Sequence, residues 1–327
     1  MFRFTTVLKV LVAGLTATQT MLAGAQNSQP AYPSKPIKVL VGVPPGGSTD
    51  VIARLFADWL QGSMGQPGVV ENRPGANTAM AADAVSRSAP DGYSLLVATE
   101  ALLTMPLLAK QSFDPVKSFV PIGAVGLTHF VLAVHPTLPV NSVRELINYA
   151  RAHPGRISYG SSGNAGTSHL GLEKFKLLTG TQMVHIPYRG AGPALTDAVS
   201  GQYQVSLWTP LAIAQQVKTG KLKALAVTGS RRIPMLKQVP TFAEVGLPAY
   251  DHKSWYAVFA PAGTPKPIVE RLNAEISKML ASPKIRQKFD DAGVEPLVST
   301  PEQLTSMMRS DTNEVGRLIK GANIKID

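Results

Sequence analysis

What most constrains this chain is a change of hydrophobic period at loops of glycine and hydroxyl residues. Lys38–Val43 (KVLVGV) predicts a buried strand, and the loop PPGGSTD (Pro44–Asp50) follows it. Val51–Leu60 then carries apolar residues at 51, 52, 55, 56, 59 and 60, one face of a helix. The same order returns over Ile157–Leu178, through GSSGNAGTSH (Gly160–His169). Further strands are predicted at Val69–Glu71, Ser94–Thr99, Val120–Val125, Phe130–Val134, Ile157–Tyr159, Val184–Pro187, Tyr203–Trp208, Ala224–Thr228 and Tyr256–Ala260. Helices fit between several of them, one running from Ser142 as cap through Ala152 to a stop at Pro154-Gly155. This alternation predicts an α/β fold with largely parallel strands.

The C-terminal part predicts helices. Thr264-Pro265 and Ser282-Pro283 each put a capping hydroxyl before a first-turn proline, and Thr300-Pro301-Glu302-Gln303 spells a capping box. These read as packing elements without chemistry.

With 327 residues, 44% of them hydrophobic, the chain has apolar material for two domains. Its composition is not that of a disordered, collagen-like or coiled-coil chain. Cysteine is absent, which excludes disulfides, thiolate metal sites and cysteine nucleophiles. A formal charge of +11 suits anionic partners, but the basic residues are scattered without interleaved aromatics, which argues against nucleic acid. Residues 1–25 read as a cleaved signal peptide. Arg3 and Lys9 form its basic start, Val7–Ala17 is mostly apolar and small, and Ala23-Gly24-Ala25 suits the peptidase. The apolar run is too short for a membrane span. A soluble, periplasmic mature protein without a lipid anchor is expected.

In both glycine–hydroxyl loops a strand ends and a helix begins. A helix's first turn offers unpaired N–H groups and the positive end of its dipole, and glycine lets a ligand approach closely. Such a loop holds an anion, phosphate or carboxylate alike, although each loop alone also fits an ordinary capped turn. Neither a Walker lysine nor GxGxxG accompanies PPGGSTD, so nucleotide binding is disfavoured, and no cofactor or metal motif is found. GSSGN lacks the spacing of a nucleophile elbow. Ser161, Ser162, Ser168, His169 and His185 nevertheless leave open a secreted serine hydrolase of small esters. His169 and Glu173, at i,i+4, read as a helix-surface pair.

Seven blocks then stand in order: KPIKVLVGVPPGGSTDVIARL (from Lys35), VVENRPGAN (from Val69), PDGYSLL (from Pro90), YGSSGNAGTSHL (from Tyr159), HIPYRGAGPALTD (from His185), VPTFAEVGLPAY (from Val239) and FAPAGTPKPIVERLN (from Phe259). Together they resemble the extracytoplasmic solute-binding receptors of tripartite tricarboxylate transporters, the Bug receptors. The resemblance implies an α/β, two-domain periplasmic binding protein fold, type II-like, with the ligand cleft between the domains. Domain one would comprise 27–128 plus 254–327, and domain two 129–253. It implies a non-catalytic monomer without cofactor that closes on a small carboxylate and serves a membrane permease, or alternatively a sensor kinase. It carries over Pro45, Gly46, Gly47, Ser48, Thr49 and Asp50 as ligand-binding residues from the first loop. From the second it carries over Ser161, Ser162, Asn164, Gly166, Thr167 and Ser168.

Two departures bear on specificity. Glu100 stands where related receptors usually carry small hydroxyl or glycine residues, and it is expected at the cleft mouth, either accepting a hydrogen bond from a donor on the ligand or standing as a plain surface glutamate at the rim. Gly201–Thr209 reads GQYQVSLWT, so Trp208 and Thr209 are also expected at the ligand, Trp208 offering its ring. His129, where the chain should first cross between domains, reads as structural.

Overall fold

Ile37, Val39 and Val41 are buried on one face of the strand Ile37–Val41 (β1) and Leu40 on the other, so β1 is covered on both faces. The structure is a computed structural model that describes residues 32–325. After β1 come α1 (Ser48–Met64), β2 (Gly68–Asn72), a short 3-10 turn at Ala76–Thr78, α2 (Ala79–Ser86), β3 (Ser94–Ala98), α3 (Ala101–Leu108) and β4 (Phe119–His129). The middle of the chain holds β5 (Val131–Val134), α4 (Val143–Ala152), β6 (Ser158–Ser161), α5 (Thr167–Thr179), β7 (Val184–Pro187), α6 (Ala191–Ser200), β8 (Val205–Trp208), α7 (Pro210–Lys218) and β9 (Lys223–Val227). Last come β10 (Lys253–Pro261), α8 (Lys266–Ala281), α9 (Pro283–Ala292), β11 (Val294–Pro296) and α10 (Pro301–Gly321).

From Lys35 onward the chain is one compact unit built on two sheets. The first has the order β11-β4-β10-β3-β1-β2, with β1 parallel to β2 and β3, and β10 antiparallel between β3 and β4. The second has the order β7-β6-β8-β5-β9, with β6 parallel to β7 and β8, and β5 antiparallel to β8 and β9. Each sheet has its own core. Leu40, Leu96, Phe119 and Phe259 pack in the first, and Leu132, Tyr159, Phe175 and Phe242 in the second. The chain leaves the first sheet at Phe130, the single residue between β4 and β5, and returns at β10, whose Lys253 pairs with His129. Parallel strands deliver their loops at their carboxyl ends, where ligands of open α/β sheets bind.

Most strands lie within a few residues of their predicted positions, and β7 has the predicted bounds. Ser142 caps α4 by accepting from Glu145 N–H at 3.1 Å, and Thr300 and Gln303 form the capping box of α10. Thr264 differs from expectation. Pro265 occupies the cap position of α8, and the Thr264 hydroxyl donates backward to the Pro261 carbonyl at 2.8 Å. Ser282 stands at the cap of α9 without a side-chain bond to the helix. Helix α3, ALLTMPLL, is not predicted by periodicity, because its apolar residues do not mark out one face. The signal-peptide reading lies outside the described residues. Among the described residues no helix is long and apolar enough to cross a membrane.

Candidate functional site

The first loop joins β1 to α1, and its front, Pro44 to Gly47, is exposed. Gly46 has φ +88°, a conformation that costs side-chain-bearing residues about 1–2 kcal/mol. Behind it, Asp50 is 2% exposed and holds the loop in place. Its carboxylate accepts from Gly46 N–H at 2.9 Å, from Arg54 Nε at 2.9 Å and Nη2 at 3.0 Å, and from Asn72 Nδ2 at 2.8 Å. Burial by itself would raise the Asp50 pKa, but these hydrogen bonds and the Arg54 charge hold it below the ordinary value. Thr49 is buried too, whereas Ser48 Oγ reaches Thr209 Oγ1 at 2.9 Å, a contact between the two sheets' loops.

The second loop joins β6 to α5 and is braced from beneath. Ser161, fully buried, places its Oγ 2.6 Å from His185 Nε2 and donates to the Gly163 carbonyl at 3.0 Å. The His185 ring stacks on His169 with centroids 3.7 Å apart, and His169 Nδ1 accepts from Ala165 N–H at 2.8 Å. Burial first, then the Lys176 charge, lowers His169 to about 4; burial and its histidine neighbour lower His185 to about 4 as well. Both rings are therefore neutral at neutral pH, as an accepting Nδ1 requires. Glu173 accepts from Tyr159 Oη and from Lys176 Nζ, so this glutamate belongs to a buried network and not to the helix surface. Ser168 Oγ accepts from Ser162 N–H at 3.4 Å.

The two loops come near each other, since Gly190, bonded to the Ser162 carbonyl, would place a β-carbon 3.8 Å from Pro44 Cγ. Among the described residues the N–H groups of Ser48 and Thr49 in α1, and of Thr167 and Ser168 in α5, make no hydrogen bond. Free N–H groups at two helix starts form an anion-holding geometry without any cationic side chain.

Sequence reasoning missed a third and a fourth contributor. Ala76, Asn77 and Thr78 stand consecutively at φ 45°, 49° and 79°, left-handed conformations that non-glycine residues rarely adopt. This strained turn carries Asn77 Nδ2 to the Ala165 carbonyl in the second loop at 3.2 Å. It lies in the ENRPGAN block, where an asparagine after Pro-Gly is the available signal. The other is Tyr188–Gly190 after β7. Tyr188 N–H donates to the Ser161 carbonyl at 3.0 Å and Gly190 N–H to the Ser162 carbonyl at 3.1 Å. Gly190 has φ +110°, and a β-carbon there would lie 3.8 Å from Pro44 Cγ in the first loop.

Glu100 is not at an open mouth. It is 8% exposed at the start of α3, accepting from Thr167 Oγ1 at 2.7 Å and from Ser254 Oγ. Trp208 is 4% exposed and packs in the second sheet's core with Val131, Ile213 and Leu236. Pro45, Gly47, Asn164 and Gly166 line the two loops as expected from their order, with Gly166 at the cap of α5. His129 packs against Gly229 and lies 3.8 Å from Glu295 through Nε2, a structural position.

Two open α/β sheets whose strand-to-helix loops come together form a crevice of the kind that binds ligands. The profile of the tripartite tricarboxylate transporter family receptor matches residues 52–324. Protein BugT of Bordetella pertussis is 34% identical over 92% of this chain and 94% of its own. A solved periplasmic transporter superposes with a TM-score of 0.84 at 40% identity, covering 91% of this chain and 100% of that one. An R. palustris protein solved with adipate gives 0.84 at 33%, covering 90% and 99%. The chain belongs to the tripartite tricarboxylate transporter receptor family, whose members are solute-binding receptors and not enzymes.

Proposed function

We propose that this chain captures a small organic carboxylate between the Pro44–Asp50 and Ser161–Ser168 loops and presents it to a tripartite-type membrane permease. The observation that carries the reading is the set of four free N–H groups at the starts of α1 and α5. The ligand carboxylate would take these donors together with the hydroxyl proton left over from the Ser48–Thr209 bond, since the Thr167 hydroxyl is spent on Glu100. Domain one would be 27–128 plus 254–327 and domain two 129–253, moving about the crossings at Phe130 and near Lys253. Closure would follow from a ligand that contacts both halves and so favours the closed state. Asp50 and Ser161 act by holding the loops, since their polar atoms are already engaged. A cleaved segment 1–25 would deliver the protein to the periplasm.

Isothermal calorimetry with a panel of mono- and dicarboxylates, adipate included, tests the reading. Saturable binding of at least one, weakened at least tenfold in Ser48→Val and Thr167→Val, is expected. Binding that survives both substitutions unchanged would place the ligand elsewhere. Ester turnover by the purified protein would reopen the hydrolase alternative.

A further inference from the structure

We infer that Glu100 takes up a proton as the cleft closes, so that capture of a carboxylate is coupled to proton uptake. The inference rests on the receptor reading above. Glu100 belongs to the first sheet's half, at the start of α3, but Thr167 Oγ1, 67 residues away in the second loop, donates to its Oε1 at 2.7 Å. Ser254 Oγ, on the returning strand β10, donates to Oε2. The Thr167 bond spans the cleft and can form only when the two halves are together. Opening the cleft would give that face of the carboxyl back to water.

Among the described residues the carboxyl has two hydroxyl partners and no cation in the closed state. From α10 it faces Asp311, a like charge that Trp255 Nε1 holds at 2.7 Å. His252 lies behind Thr167, bonded through Nε2 to the Thr167 carbonyl at 3.0 Å, and burial keeps it neutral down to about 4. His169, on α5, is likewise neutral. From β10 comes the Tyr256 phenol, raised by burial. Glu314, also on α10, is spent on Lys174 at 2.7 Å. Burial pushes the Glu100 carboxyl up from 4.5 to about 7; the Ser254 and Thr167 bonds oppose this, and Asp311 adds to it. A protonated carboxyl suits the place, because it can donate to one hydroxyl while accepting from the other.

The sign follows from the two states. With the cleft open, water reaches the Glu100 carboxyl from the Thr167 side and lowers its pKa below the value of about 7 that it has in the closed cleft. Between the open and closed values the closed form holds a proton that the open form lacks, so falling pH favours closure. The closed-to-open ratio rises severalfold from pH 8 to pH 6.

Two measurements on the mature protein and on Glu100→Gln decide the matter. In ligand-free small-angle scattering, wild type is expected to be more compact at pH 6 than at pH 8, and Glu100→Gln to have one radius at both. A wild-type radius that does not change with pH, together with equal proton uptake by wild type and Glu100→Gln, overturns the inference. In calorimetry with adipate at pH 6, in two buffers of different ionisation heat, wild type should take up a larger fraction of a proton per adipate than Glu100→Gln. Equal uptake overturns the proton coupling while leaving the receptor reading intact. Absence of any binding, by adipate or by other carboxylates, counts against the receptor reading, and the scattering comparison still judges Glu100.

Discussion

Ser161 Oγ lies 2.6 Å from His185 Nε2, beneath a loop whose surface faces the cleft. In a hydrolase such a pair would be exposed to substrate. Here Ser161 is fully buried and also holds the Gly163 carbonyl, so the pair shapes the loop from below. The stack of Tyr159, His185 and His169 extends this support to the Ala165 N–H at the turn into α5.

That support should be acid-sensitive. His169 titrates near 4 in the fold and near 6.5 in the unfolded chain. Between these values the unfolded state binds a proton that the folded state refuses, so stability falls as pH drops through the window, by up to about 3 kcal/mol. Urea unfolding at pH 7.5 and 4.5 should show a larger acid loss in wild type than in His169→Gln. Equal losses would mean that the ring is not held neutral.

Asp50 has the same sign of pH dependence for a different reason, since the fold favours its charged form. Its depressed pKa means that its stabilisation is present above the unfolded value of about 3.8 and is lost as pH falls below it. Asp50→Ala leaves Gly46 N–H, Arg54 and Asn72 without their acceptor and should cost about 1–3 kcal/mol at neutral pH. Carboxylate affinity should fall with it, because the first loop loses its brace. Unchanged calorimetric affinity at 25 °C would show that the loop holds its shape without Asp50.

The two adjacent glycines of the first loop should separate backbone strain from ligand access. Gly46 has φ +88°, whereas a β-carbon at Gly47 would meet nothing nearer than the Pro44 carbonyl at 3.8 Å. Gly46→Val should lower stability by about 1–2 kcal/mol, and Gly47→Val by much less. Both should abolish carboxylate binding by blocking approach to the N–H groups. A Gly47→Val protein that binds like wild type would remove the first loop from the site.

Asn77 offers a cleaner test of closure. Asn77→Gly relieves the left-handed conformation at φ 49° but removes the bond to the Ala165 carbonyl across the cleft. Stability within about 1 kcal/mol of wild type is expected, together with a severalfold loss of carboxylate affinity. If affinity is unchanged, the Asn77 bridge contributes nothing to the closed state.

The two helix-start loops, the alternating strands and the Ser142 and Thr300 caps were legible in the sequence because each rests on neighbours within a few residues. Hydrophobic period, a glycine where the chain turns left-handed and a hydroxyl three residues before its N–H partner are local signals. What the tertiary structure alone decided is where the polar atoms go. Asp50 looked like a ligand residue and is buried against Asn72, 22 residues away. Trp208 ends an apolar strand, and only packing turned its ring into a core. Glu100 meets Thr167 and Ser254 across separations of 67 and 154 residues, which no local pattern encodes. A carboxyl's charge depends on the water that distant segments exclude from it, and that exclusion exists only once the two sheets are folded together.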